Sequence, residues 1–233
     1  MADIMTLHSQ IKKLMPDRLS LDSTEFLESA VKQRLNIMIA GACGAGKTAL
    51  LNCLESAIDP SLSIIAIEDF KELQFEHPDE MTRNLVVKDI NDNLHRSPDN
   101  IIIVETKGEE AFDLLQAMVG HDGCLATIAA NSAQHLLNTR LPDMIRAACA
   151  DISDQEINML IADSLDLVIC LILDKEGQRR IAHIAEVYAV PENNQVGCNR
   201  LWNYDDTQKK LCWVGNDFHK RDVFSEGGWI CRA

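Results

Sequence analysis

Residues Gly41, Ala42, Cys43, Gly44, Ala45, Gly46, Lys47 and Thr48 fill every fixed position of the pattern G-x-x-x-x-G-K-[ST]. Each fixed type answers a physical need. The glycines let successive backbone N–H groups turn toward one concave spot, and a helix starting there adds its free amides and the positive end of its dipole. Lys47 is spaced to reach the outer phosphates of a nucleotide, and the Thr48 hydroxyl to ligate a bridging magnesium ion. The implied chemistry is binding of a nucleoside triphosphate with Mg2+ as cofactor.

Acidic residues elsewhere could complete a hydrolytic site. The apolar stretch Ile101, Ile102, Ile103, Val104 runs into Glu105. A carboxylate at the carboxyl end of a buried strand lies where ligands gather in open α/β sheets. Glu105 could orient or deprotonate the attacking water, or hold a magnesium-bound water; the alternative is a solvated strand-end acid. Glu68 and Asp69 end another apolar stretch, with Glu72 three residues on. They could hold metal-bound water or form a solvated turn. His121, in the turn Gly120-His121-Asp122-Gly123, could sense the terminal phosphate or simply lie at the surface.

The elements that must position these groups alternate in type. Apolar runs at 36–40, 63–67, 84–87, 100–104, 123–128, 165–173 and 180–190 read as strands. Segments 47–58, 89–95, 109–118, 133–148 and 154–162 read as helices, and another follows a cap at Ser23 or Thr24. The alternation implies an α/β fold with a largely parallel sheet flanked by helices. Residues 1–22 read as a lead-in, 23–190 as the main domain, and 191–233 as a small β-hairpin (200–204 and 210–214) and tail.

Composition narrows the function classes. With 233 residues, 46% of them hydrophobic, the chain can bury a substantial core. Its 36 acidic against 22 basic residues give a net charge of −14, which argues against nucleic-acid binding. A polyanionic nucleotide must therefore meet a locally concentrated positive potential. The eight cysteines include no Cys-x-x-Cys pair and read as reduced thiols. The start lacks the apolar core of a signal peptide, and no stretch has the eighteen or more apolar residues of a membrane span. The expected location is cytoplasmic, with any membrane link being indirect.

Taken together, the motifs resemble the ATPases of type II and type IV secretion systems and type IV pilus assembly, in particular the tight-adherence (Flp) pilus branch. The likeness covers residues 23–190. It includes Arg34-Leu35-Asn36 ahead of the octet and Thr48-Ala49-Leu50-Leu51-Asn52 at its end. It also includes Ile67-Glu68-Asp69 with Glu72-Leu73-Gln74, an aspartate box, and Pro98-Asp99 with 101–105, Gly108 and Glu110, a Walker B region. Gly120-His121-Asp122-Gly123 with Thr127-Ile128 and Ala130-Asn131-Ser132 matches a histidine box. The resemblance implies a RecA-like P-loop core working in a homo-hexameric or mixed ring against an inner-membrane platform protein. It assigns catalytic roles to Glu105, Glu68 and His121, and a water-mediated metal role to Asp69 and Glu105 beside Thr48.

The sequence also departs from that pattern. Ala129 stands where the family has a second histidine, Ser97 where arginine is frequent, and Lys107 where arginine usually follows the Walker B acid. Only about 35 residues precede the strand leading into the octet, whereas the family carries a further N-terminal domain that supplies arginines to the site. That domain is expected on a separate partner polypeptide, or to have been lost. Three readings stand: an ATPase motor or motor subunit, a nucleotide-binding regulator with little turnover, and an unrelated P-loop enzyme such as a small-molecule kinase.

Overall fold

The computed structural model of the protein describes residues 7–15, 21–68, 72–73, 81–84, 98–191, 195–215 and 219, with the backbone alone at 81–84. Two helices, α1 (Leu7–Leu14) and α2 (Leu21–Lys32), precede β1 (Ile37–Gly41) and α3 (Lys47–Glu55). Then come β2 (Ile64–Ile67), β3 (Met81–Asn84), β4 (Asn100–Thr106), α4 (Glu110–Gly120) and β5 (Leu125–Ile128). A helical stretch follows: α5 (Ala133–His135), a π-helical segment (Leu136–Arg140) and α6 (Leu141–Ala148). The chain continues with α7 (Asp154–Ser164), β6 (Leu167–Leu173), β7 (Arg179–Ala189), β8 (Val196–Asp205) and β9 (Lys210–Trp213).

The described strands make one sheet in the order β3-β2-β4-β5-β1-β6-β7-β8-β9. It is parallel from β3 through β6 and antiparallel from β6 to β9. The expected α/β architecture is therefore present. Two local differences stand out, apart from the strand expected at 84–87, which meets β3 only at Asn84 and otherwise falls outside the described residues. The helix expected at 133–148 is interrupted by the π-helical segment. The hairpin expected beyond 191 forms, but it pairs with β7 and so extends the main sheet. The helix expected at 89–95 falls outside the described residues.

Period-two alternation divides each central strand between two cores. Ile37 and Ile39 of β1, Ile102 and Val104 of β4, and Leu167, Ile169 and Leu171 of β6 face α1, α2 and α3. Met38 and Ala40, Ile101 and Ile103, and Val168 and Cys170 face the layer formed by α4 through α7. Strands buried on both faces read as continuous apolar runs, as parallel strands between helical layers do. Trp202 and Trp213 pack edge to face, with ring centroids 5.3 Å apart, and Phe26 of α2 lies 5.9 Å from Trp202, so the antiparallel extension is fixed to the first core.

One polar side chain sets the alignment at the amino-terminal edge of the sheet. Asn36, 3% exposed, donates to the carbonyls of Met118 (2.8 Å) and Ser164 (2.9 Å) and accepts from the Cys124 amide (2.9 Å). It thus ties the start of β1 to α4, β5 and α7. Arg34, held at φ 58°, reaches the carbonyls of Asp99 and Asp122 nearby.

Candidate nucleotide site

The octet occupies the carboxyl edge of the sheet, between β1 and α3. Gly41 is packed against β6 so closely that a Cβ there would come within 2.9 Å of the Leu171 carbonyl oxygen. Gly44 and Gly46 adopt φ of 79° and 96°, values that L side chains rarely reach. Gly46 is the N-cap of α3 and gives that end no side-chain partner. The Ala45 amide bonds within the loop to the Ala42 carbonyl at 3.2 Å. Among the described residues, nothing accepts a hydrogen bond from the amides of Gly44, Gly46, Lys47 or Thr48. Unsatisfied donors beside an exposed loop at a helix N-terminus form a cradle for an anion. Lys47 Nζ lies over the loop, donating to the Ala42 carbonyl at 3.1 Å.

The acids divide their labour differently from the sequence reading. Glu68 is wholly buried, and its Oε2 accepts the amides of Glu72 and Leu73, both at 2.9 Å. It therefore shapes the chain after β2. Glu72 is the acid that reaches the loop: its Oε2 accepts from Thr48 Oγ1 at 3.0 Å. The spacing Glu68–Glu72 was visible in the sequence; that the second acid would meet Thr48 needed the fold. Asp69 lies outside the described residues.

Glu105 emerges at the carboxyl end of β4, at the same edge of the sheet and two strands from β1, roughly 10 Å by ordinary strand spacing. Its backbone is left-handed (φ 64°), where the register between β4 and β5 shifts. Its amide donates to Thr127 Oγ1 at 2.8 Å, and its half-exposed carboxylate pairs with Lys107 Nζ at 3.0 Å. A non-glycine residue in that conformation costs about 1–3 kcal/mol and marks a place that surrounding structure over-determines.

His121 is not brought to this cluster. It caps the end of α4, its Nδ1 lying 3.3 Å from the Ala117 carbonyl, before β5 begins. Since Leu125 pairs with Ile37 and Ile128 with Ala40, His121 lies at the amino-terminal edge and the loop at the carboxyl edge. The residues that do border the loop beyond β5 are Ala129, Ala130, Asn131, His135 and Arg140, which share with Ala42 a cleft of about 350 Å3. The π-helical segment supplies Arg140 to that wall. Arg179, at the start of β7, forms the other side, its Nε donating to the Gly44 carbonyl at 3.3 Å. Neither arginine stands in a motif, and only the fold brings them to the loop.

The residues present suit a magnesium nucleotide. Thr48 and Glu72 offer hard oxygen donors at the cradle. Among the described residues no group of three or more His, Cys, Asp or Glu could hold a metal unaided. A divalent ion here would thus take much of its coordination from phosphate and water. The described cysteines are free thiols, and burial pushes Cys124 and Cys170 up to about 12, away from reactivity. Cys43, in the loop, is exposed.

A family described as type II/IV secretion system protein matches residues 7–210 of this sequence. The chain belongs to that family. It is 30% identical over 173 residues to a putative conjugal transfer protein of Mycobacterium tuberculosis, covering 66% of this chain and 47% of the relative. It is 28% identical over 179 residues to the type IV secretion system protein PtlH of Bordetella pertussis, covering 70% and 52%. The chain thus spans about half the length of the relatives it matches. The VirB11 ATPase of the Brucella suis type IV secretion system, solved in complex with sulphate, superposes with TM-score 0.67 at 25% identity over 71% of this chain and 53% of that one. The ADP-bound pilus retraction motor PilT superposes at TM-score 0.55 and 16% identity over 92% of this chain and 58% of that one, a likeness of fold. The core of this family member is a RecA-like P-loop ATPase fold.

Proposed function

We propose that this family member binds Mg-ATP at residues 41–48 and hydrolyses it as a motor, or motor subunit, of a secretion or pilus-assembly system. The observation that carries the reading is the convergence of unsatisfied amides, Lys47 and the Thr48–Glu72 pair at one edge of the sheet, with Glu105 at that same edge.

The roles follow from placement. The amides of Gly44, Gly46, Lys47 and Thr48 hold the phosphate oxygens, and Lys47 leaves the Ala42 carbonyl to neutralise charge on the outer phosphates. Thr48 and Glu72 hold the magnesium ion, which when bound withdraws charge from the phosphoryl group being transferred. Glu105 orients a water in line with the terminal phosphorus and accepts its proton as the bond to the ADP oxygen breaks. For that, Glu105 must exchange Lys107 for the water. A homo-hexameric or mixed ring and an inner-membrane platform partner extend the proposal from the family. So does a cytoplasmic location; no helix among the described residues is long and apolar enough to cross a membrane.

Phosphate release from Mg-ATP by the wild-type chain, compared with Lys47→Ala, tests the motor reading. Turnover no faster than that of the variant, by protein that still binds ATP, rejects it. Light-scattering mass with and without a non-hydrolysable nucleotide tests the ring. One observation favours the regulatory alternative: Ala129, not an imidazole, stands at the carboxyl end of β5 beside the loop, while His121 is at the far edge.

A further inference from the structure

We propose that Arg179 contacts the polyphosphate of the bound nucleotide, as an arginine supplied by this same chain from the β6–β7 hairpin. The proposal deepens the nucleotide-binding reading and rests on it.

The hairpin is built to be rigid. Its turn is closed by the Asp174 amide on the Gln178 carbonyl (2.9 Å) and by Asp174 Oδ1, which accepts the amides of Glu176 (2.9 Å) and Gln178 (2.8 Å). Asp174 Oδ2 accepts from Arg180 Nη2 at 2.6 Å, and Arg180 also reaches Asp206 and lies over the Tyr204 ring, 4.4 Å from its centroid. Arg180 thus fastens the hairpin to β8 and the turn after it. Neighbouring residues leave a strand on opposite faces. With Arg180 committed to that anchor, Arg179 projects the other way. It pairs with Leu173 and sits two residues before Ile181, which belongs to the core under α1, α2 and α3.

That direction lays it across the phosphate loop. A Cβ on Gly46 would fall 2.8 Å from Arg179 Cδ, so the stem occupies the space that glycine leaves open. Nε then donates to the Gly44 carbonyl at 3.3 Å, a long bond to an exposed group, which does little for stability. Its effect is on position: it holds the guanidinium beside the loop. Among the described residues the Nη atoms of Arg179 make no hydrogen bond or ion pair, so their donors remain for phosphate oxygens. In a chain of net charge −14, a guanidinium beside the loop concentrates positive potential where a polyanion must enter.

The test compares the wild-type chain with Arg179→Ala and Arg179→Lys. Mg-ATP affinity is measured by calorimetry, and inorganic tripolyphosphate with magnesium is used as a competitor. Arg179→Ala is expected to weaken both by about tenfold or more, the loss of one charge-assisted hydrogen bond, with the melting temperature unchanged. Arg179→Lys is expected to recover part of the loss, because it restores charge without the planar fork. Wild-type affinity for Mg-ATP in Arg179→Ala overturns the proposal. So does a loss of ATP affinity with tripolyphosphate competition intact, which would place the contact on base or ribose. A wild-type chain that binds no nucleotide overturns the underlying reading as well, so the two failures are distinguishable.

Discussion

Thr48 Oγ1 donates to Glu72 Oε2 across 3.0 Å, and Glu72 stands there because buried Glu68 holds the amides of Glu72 and Leu73. The first acid supports the second, and the second faces the magnesium position proposed beside Thr48. Glu72→Gln keeps a hydrogen-bond acceptor near Thr48 but removes the charge. It is expected to raise the magnesium concentration for half-maximal ATPase activity by about tenfold while the fold stays intact. Glu68→Ala should instead lower stability, by about 1–3 kcal/mol, because two amides lose their acceptor. A magnesium titration with urea unfolding on both variants checks this; equal magnesium dependence in wild type and Glu72→Gln rejects the assignment.

Glu105→Gln should separate binding from chemistry. Glutamine has the same unbranched stem and tolerates φ 64° as well or as poorly as glutamate, so backbone strain is unchanged. Nucleotide affinity is expected to stay within about twofold, while turnover falls about 100-fold or more, the usual contribution of a general base. Single-turnover phosphate release, with binding measured separately, reads both quantities. Turnover preserved within a few-fold would leave Glu105 as a strand-end acid paired with Lys107.

The strands that carry the site were legible because burial on both faces leaves unbroken apolar runs, such as residues 101–104 before Glu105. The geometry of the octet was legible because it is local: eight consecutive residues set the positive-φ glycines and the uncapped start of α3. What was not legible depends on distant chain segments meeting. Arg179 has no motif around it and reaches the loop only because β6 lies beside β1. Glu68 and Glu72 look interchangeable as side chains, and only burial separates the supporting acid from the exposed one. His121 shows the reverse error. A histidine in a glycine-flanked turn gives no sign of which end of the sheet the turn occupies; that is fixed by the parallel connection through α4, which returns the chain to the opposite edge. The π-helical interruption at Leu136–Arg140 has no periodicity signature in so short a stretch.

Gly46 and Gly44 offer a contrast between strain and collision. Both have positive φ, but a Cβ at Gly44 meets open space, whereas one at Gly46 strikes Arg179 Cδ at 2.8 Å. Gly44→Ala should cost about 1–2 kcal/mol, the penalty of a left-handed L residue. Gly46→Ala should carry a similar backbone penalty and in addition displace the flexible, exposed Arg179, so its loss of Mg-ATP affinity should be the larger. In an Arg179→Ala background the collision is gone, and the gap in affinity between the two alanine variants should shrink. Mg-ATP calorimetry on the four variants makes the cycle; a gap that persists undiminished means Arg179 has no part in the loss at Gly46.

His183 gives the fold a measurable sensitivity to acid. It lies on β7 opposite Cys170 of β6, 6% exposed, and its Nε2 has no hydrogen-bond partner among the described residues. Burial first, and the positive charge of Arg200 second, push its pKa down from 6.5 to about 4. The unfolded chain then binds a proton that the folded chain refuses throughout the interval between those values. This contribution to stability is fully present above pH 6.5 and is lost as pH falls toward 4. Across that interval the loss amounts to about 3 kcal/mol at most. His183→Gln has no proton to gain, so its unfolding free energy should decline less than that of the wild type between pH 7.5 and 4.5, by about 2–3 kcal/mol. Urea unfolding at half-unit pH steps gives both curves, and parallel curves through that range would mean that His183 accepts its proton in the folded state as readily as in the unfolded one.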